Sequence, residues 1–156
     1  MTVFLVRHAS AGHRNDADPD DADRPLDPDG VEQSRRIAKA LTGTAITRVV
    51  SSPAARCTAT VAPLTAKLGL DCEVTDDLYE GTPIERSWAV LERAARAKGD
   101  VVLCSHGDVI PELVSRAQGR GMEVRGKSGC AKASVWTLQF DGERFTSGSY
   151  SKPAAD

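Results

Sequence analysis

TVFLVRH at 2–8 is a continuous apolar run rich in β-branched residues, and ITRVVSS at 46–52 and DVVLCSH at 100–106 read as further buried strands. A strand with one wet face alternates apolar and polar residues, whereas a continuous apolar run is covered on both faces. Strands of that kind belong to a largely parallel sheet lying between helices, and such a sheet needs a helical crossover after each strand. The fold class expected is therefore α/β, a three-layer α/β/α sandwich around a mostly parallel central sheet.

The intervening segments supply those helices. VEQSRRIAKAL puts Val31, Ser34, Ile37, Ala38 and Leu41 on one face, with Asp27 or Asp29 placed to cap its start. TATVAPLTAKLG spaces Val61, Leu64, Thr65 and Leu68 helically and stops at Gly69, while Pro63 predicts a kink or a late start. IERSWAVLERAARAKG carries an apolar stripe of Ile84, Trp88, Leu91 and Ala95, and VIPELVSRAQG one of Ile110, Leu113, Val114 and Ala117. Core packing accounts for Trp88 and for Trp136. DCEVT is a short strand candidate. Near the end, KASVWTLQF and RFTSGSY flank an Asp-Gly pair, the signal for a C-terminal β-hairpin. One domain over residues 1–150 with a tail over 151–156 is expected.

Composition narrows the partners. The net charge of −2 favours neither nucleic acid nor an anionic membrane surface. No apolar run is long enough to cross a bilayer, and Arg7 interrupts the first one too early for a signal peptide. Cys57, Cys72, Cys104 and Cys130 lack CxxC spacing, so free thiols and a cytoplasmic location are expected.

In open α/β sheets ligands bind beyond the carboxyl ends of the strands. The first strand delivers Arg7 and His8 there, and the second delivers Arg56 just past Ser51 and Ser52. The third is followed by Glu80, and the fourth by His106 before Gly107. His13 follows the first strand and is expected near the same mouth. Two arginines, two histidines and a carboxylate suit one chemistry. Arginine forks grip phosphoryl oxygens. A neutral imidazole can attack phosphorus and carry the phosphoryl group. A second, protonated imidazole can stabilise the equatorial oxygens, and a carboxylic acid can protonate the departing oxygen. The cationic side chains do the neutralising, so no metal or other cofactor is expected.

FLVRHA, SSPAARCTATV, LYEG and LCSHGD, in this order, resemble the histidine phosphatase superfamily, the phosphoglycerate-mutase-like proteins. RPLDPDGVEQSRRIAKAL is similar to the short SixA-type phosphohistidine phosphatases. SHGDVIPEL and KASVWTLQFDGERF are similar to the domain that some bacteria fuse to a Nudix hydrolase. The resemblance implies His8 as the phosphorylated nucleophile, Arg7, Arg56 and His106 as the phosphate pocket, and Glu80 as the general acid. It implies a phosphatase whose substrate is a phosphohistidine protein or a small phosphoester or nucleotide phosphate. A phosphoglycerate-mutase-type phosphotransferase and a non-catalytic phosphate-binding module are the alternatives. Ala9 stands where the family usually has glycine, and one added methyl should leave the pocket intact. Ser10 stands where longer members often carry glutamate.

Four further expectations concern the loops. The aspartate-rich stretch 16–29 lacks the glycine and the final glutamate of a calcium loop and reads as a solvated loop, anchored by Arg24, Pro25 and Leu26. The basic, glycine-rich stretch 119–130 reads as a mobile flap or a plain surface loop. Asp108 is expected to cap the following helix. Ser51 and Ser52 are expected to satisfy backbone groups of a turn.

Overall fold

The computed structural model describes residues 1–15 and 17–154, so Asp16 of the acidic stretch and the last two residues of the tail lie outside the described residues. Strands and helices alternate as β1 (Thr2–Arg7), α1 (Pro28–Leu41), β2 (Ile46–Ser51), α2 (Ala55–Leu68), β3 (Cys72–Val74), α3 (Ile84–Arg96), β4 (Asp100–Ser105), α4 (Val109–Gly119), β5 (Glu123–Arg125), β6 (Val135–Phe140) and β7 (Phe145–Ser151). Single 3₁₀ turns occupy Asp21–Asp23 and Asp76–Leu78. Among the described residues one sheet holds seven strands in the order β3-β2-β4-β1-β6-β7-β5. The pairs β2–β3, β2–β4, β1–β4 and β5–β7 are parallel, while β6 is antiparallel to both its neighbours. The hairpin is β6–β7.

The continuous apolar runs are explained by what covers each face. In β1, Phe4 and Val6 point into a core shared with Ile37, Ala38 and Leu41 of α1 and Val61 and Leu64 of α2. Val3 and Leu5 point the other way, into a core shared with Trp88 and Leu91 of α3 and Ile110 and Leu113 of α4. Each fully buried Val, Leu or Ile among them contributes roughly 1.5–3 kcal/mol of transfer free energy. The strand is thus pulled between two helical layers, and the polar residues at its end go with it. Among the described residues no helix is long and apolar enough to cross a membrane.

Three local expectations change. Helix α2 begins at Ala55 and runs through Pro63 to Gly69, whose φ of 67° ends it in the left-handed region. Val31 is exposed; the residue that α1 buries beside it is Gly30. The stretch 119–130 is neither flap nor plain loop, because Glu123–Arg125 pair with β7 as the edge strand β5 and Met122 is buried against the core.

Asp27 caps α1, its Oδ1 accepting from the Gly30 N–H at 2.8 Å, while Oδ2 accepts from the Ser10 hydroxyl at 2.6 Å and the Gly12 N–H at 3.0 Å. The carboxylate therefore ties the loop after β1 to the helix. Arg24 adds a second tie by donating to the Ala11 carbonyl at 2.6 Å, and Leu26 packs on the core. This close approach requires glycine at position 30, where a Cβ would lie 1.9 Å from the Ser10 carbonyl oxygen. Gly30→Ala gains about 0.5–1 kcal/mol of helix propensity but forces an overpacked contact costing about 1–3 kcal/mol. A net loss of about 1–2 kcal/mol is expected, read as a fall of a few degrees in Tm.

Candidate active site

The sheet order places the site. From β1 the chain crosses over β4 to β2 by way of α1 on one face, whereas from β4 it leaves by α4 on the other. Loops that depart to opposite faces open a crevice between the carboxyl ends of adjacent strands. The pairing of β1 with β4 ends at Arg7 opposite Ser105, and the His8 N–H extends it by donating to the Ser105 carbonyl at 3.0 Å. Ser52 does the same beyond β2, donating to the Cys104 carbonyl at 3.0 Å. His8, His106 and the Ser52 turn therefore begin from fixed backbone.

The predicted residues Arg7, His8, Arg56, Glu80 and His106 all line one cleft of about 780 Å³. The His8 and His106 ring centroids lie 5.4 Å apart in an edge-to-face arrangement. His8 is 6% exposed, and its Nδ1 is 2.9 Å from the carbonyl oxygen of Ala9. A carbonyl can only accept, so Nδ1 carries the hydrogen and Nε2 is left with its lone pair. Burial lowers the His8 pKa to about 3, with the charges of Arg56 and Arg7 adding to it and the Ala9 hydrogen bond opposing it. An unprotonated imidazole is the form that can attack phosphorus.

Two guanidiniums flank it. Arg7 donates from Nη1 to the Cys130 carbonyl at 2.6 Å, and its buried Nε has no hydrogen-bond partner. Its guanidinium lies against Gly107, where a Cβ would sit 2.7 Å from Cζ. Arg56 is 1% exposed, donates from Nη1 to the Asp21 carbonyl at 3.0 Å and from Nη2 to Glu80 Oε1 at 2.7 Å, and also has an unpartnered buried Nε. Glu80 Oε2 meets Arg14 Nη1 at 2.9 Å. Both carboxylate oxygens thus face arginine.

The backbone on either side of the His8 ring is clamped by Thr60 and by Ala133. Ala9, fully buried, donates from its N–H to Thr60 Oγ1 at 2.8 Å, and that hydroxyl donates on to the Arg56 carbonyl at 2.6 Å. Its methyl is accommodated, as expected. The Ala133 N–H donates to the carbonyls of both Arg7 and His8, which requires a φ of 64° at a non-glycine residue. Such a conformation carries strain and persists where surrounding contacts dictate it.

Other expectations are corrected by these contacts. His13 is exposed and does not line the cleft; Gly12 and Arg14 do. Asp108 makes no capping hydrogen bond to α4, because its Oδ2 accepts instead from the Gly81 N–H at 2.7 Å and so fixes the loop bearing Glu80. None of residues 119–130 lines the cleft, although Lys132 does. Ser51 bonds a turn carbonyl and Ser52 Oγ accepts from the Ala54 N–H at 3.3 Å, both as expected, and Ser52 Oγ also lies 2.8 Å from His106 Nε2. The doubled serine at the end of β2 was the signal for that contact, and its second member reaches the ring only because β2 and β4 are neighbours. Among the described residues no group of three or more His, Cys, Asp or Glu is placed to hold a metal ion.

Comparison with known proteins agrees with this arrangement. The family model of the histidine phosphatase superfamily (branch 1) matches residues 3–82 and 83–152. An 8-oxo-(d)GTP phosphatase of Mycolicibacterium smegmatis is 32% identical over 153 residues, a match over 91% of this chain but 45% of that protein. The chain therefore spans less than half the length of that relative. Among solved structures, the protein histidine phosphatase SixA complexed with tungstate superposes with a TM-score of 0.76 at 24% identity, over 97% of this chain and 95% of that one. A mycobacterial glucosyl-3-phosphoglycerate phosphatase superposes with a TM-score of 0.74 at 17% identity, over 92% and 95%. These likenesses fix the fold, and the matched family model covers nearly every element that carries the cleft. The chain belongs to the histidine phosphatase superfamily.

Proposed function

We propose that the chain is a metal-independent phosphatase that works through a phosphohistidine on His8. The observation that carries this reading is the His8 ring itself, buried, unprotonated, and held by the Ala9 carbonyl so that Nε2 faces the cleft between Arg7, Arg56 and His106. In the proposed reaction Nε2 attacks phosphorus in line with the leaving oxygen, a P–N bond forms and the P–O bond breaks. Arg7, Arg56 and His106 hold the equatorial oxygens. Glu80 gives its proton to the leaving oxygen. It then takes one from the water that attacks the phosphohistidine, releasing phosphate and restoring the ring. A pure phosphate binder would have no use for an unprotonated imidazole at the floor of the site.

Two substrate classes follow from two observations. The volume of the cleft is that of a site for a whole small molecule, which supports a small phosphoester or nucleotide phosphate. The relative from Mycolicibacterium smegmatis, an 8-oxo-(d)GTP phosphatase, is in keeping with this class. The second reading, a phosphohistidine protein, is favoured by Glu80, whose two oxygens are engaged by Arg56 and Arg14. An imidazole leaving group needs less help from an acid than an alkoxide does. For Glu80 to act as the acid, Oε2 must exchange Arg14 for the leaving oxygen.

A panel of phosphorylated compounds scored by phosphate release tests the reading. His8→Ala is expected to lose about 10³-fold or more on every substrate cleaved. Activity that survives in this variant, or that chelators abolish, sinks the mechanism, and conversion of a phosphoglycerate to its isomer without free phosphate would assign a mutase. Glu80→Gln is expected to slow ester hydrolysis by about 10²–10⁴-fold and phosphohistidine hydrolysis far less. Equal losses on both would remove the acid role.

The state of His8 also has a pH signature. The ring takes a proton near 6.5 when unfolded but only near about 3 when folded. Between those values the unfolded chain binds more protons, so this group lowers stability as pH falls, by at most about 1.4 kcal/mol per pH unit. Urea unfolding at several pH values should show a shallower acid loss in His8→Asn than in the parent. Imidazole NMR should show no titration of His8 between about pH 5 and 8.

A further inference from the structure

We propose that Ser52 is a positioning residue that holds His106 as the Nδ1–H tautomer by donating its hydroxyl proton to Nε2, so that His106 presents an N–H to the phosphoryl group. This rests on the phosphate-gripping role proposed above for His106. Ser52 Oγ and His106 Nε2 are 2.8 Å apart, with both side chains buried. With Nε2 turned back toward Ser52, Nδ1 is the ring nitrogen left for the cleft.

The direction of the proton follows from the neighbouring donors. The Ala54 N–H already donates to Ser52 Oγ at 3.3 Å, filling one of its lone pairs. The Cys57 thiol, whose sulfur lies 3.6 Å from Nε2, has the Ser105 carbonyl as an acceptor at 3.8 Å. The Cys104 thiol has the Cys57 carbonyl at 3.5 Å. If Ser52 donates to Nε2, every buried hydrogen in this group has an acceptor. If instead Nε2–H donated to Ser52, the hydroxyl proton would be left with a thiol sulfur, which is a weak acceptor. Among the described residues, the aromatic rings against His106 are His8 and Tyr79, each edge-on with its centroid 5.4 Å away. Among the described residues no carboxylate hydrogen-bonds the ring.

The consequence is a pairing of opposites. His8 and His106 carry their hydrogens on the same ring nitrogen, but the Ala9 carbonyl turns the lone pair of His8 toward the cleft and the Ser52 hydroxyl turns the N–H of His106 toward it. One ring attacks phosphorus and the other donates to its oxygens. With the tautomer reversed, His106 would offer a lone pair to an anionic oxygen, and the grip would become a repulsion.

Imidazole ¹⁵N correlation spectra of the ¹⁵N-labelled protein, free and with inorganic phosphate, test this directly. The wild-type spectrum should show His106 Nε2 as the bare nitrogen and Nδ1 as the protonated one. A protonated Nε2 on a ring with bare Nδ1 overturns the proposal. In Ser52→Ala the two tautomers should mix, and kcat/KM on the best substrate of the panel should fall about tenfold or more, as on loss of an oxyanion donor. Ser52→Thr, which keeps the hydroxyl, should restore both the spectrum and most of the rate. An unchanged tautomer in Ser52→Ala, or a rate within twofold of wild type, overturns it as well. Should the variants fail to fold, the wild-type spectrum alone decides. Should no phosphate be released from any compound, the phosphatase reading fails while the spectrum still judges Ser52.

Discussion

The pairing of β1 with β4 is the contact on which the rest depends. Five residue pairs, from Val3 with Val101 to Arg7 with Ser105, bring together strands that are nearly a hundred positions apart in the chain. The side chains on both faces of this pair are buried between helical layers, so its register is set by packing: a slip of one residue would turn each face inside out. Because the register is fixed, the residues just past the pair are fixed too. Arg7, His8 and His106 are therefore placed by the hydrophobic core, and their positions owe little to one another.

That placement creates the chemistry. A histidine at the surface would share its proton with water near neutral pH, but this one follows a buried strand into a desolvated floor beside two guanidiniums. The same burial that would make an isolated cation costly makes the uncharged ring stable. The arginines tolerate the site because carbonyls and carboxylates share their positive charge: Cys130 for Arg7, and Asp21 with Glu80 for Arg56. Each still has a buried Nε without a partner, an unsatisfied donor whose desolvation is uncompensated within the protein.

How much of this was legible in the sequence follows from the range of the forces involved. The buried strands β1, β2 and β4 and the four helices have their own periodicity, and with them came the strand ends that carry Arg7, His8, Arg56 and His106. Glu80 was found by its position after β3. Edge strand β5 was missed because three residues have no period to read, and only β7 beside them makes them a strand. The exchange of His13 for Arg14, and of a cap for a loop tie at Asp108, depends on how an acidic loop folds back over the sheet. Ser52 was visible as one of a pair of serines, but its partner is 54 residues away and is revealed only by the strand order.

The turn at 130–134 carries a consequence for how the molecule is made. It supplies the Cys130 carbonyl to the Arg7 side chain, the Ser134 carbonyl to the Arg7 N–H, and the Ala133 N–H to the carbonyls of Arg7 and His8. Arg7 and Cys130 are 123 positions apart, so a growing chain holds the His8 imidazole through all the intervening synthesis without the scaffold that sets it. The ring is set only once this turn has been made and has closed over the end of β1.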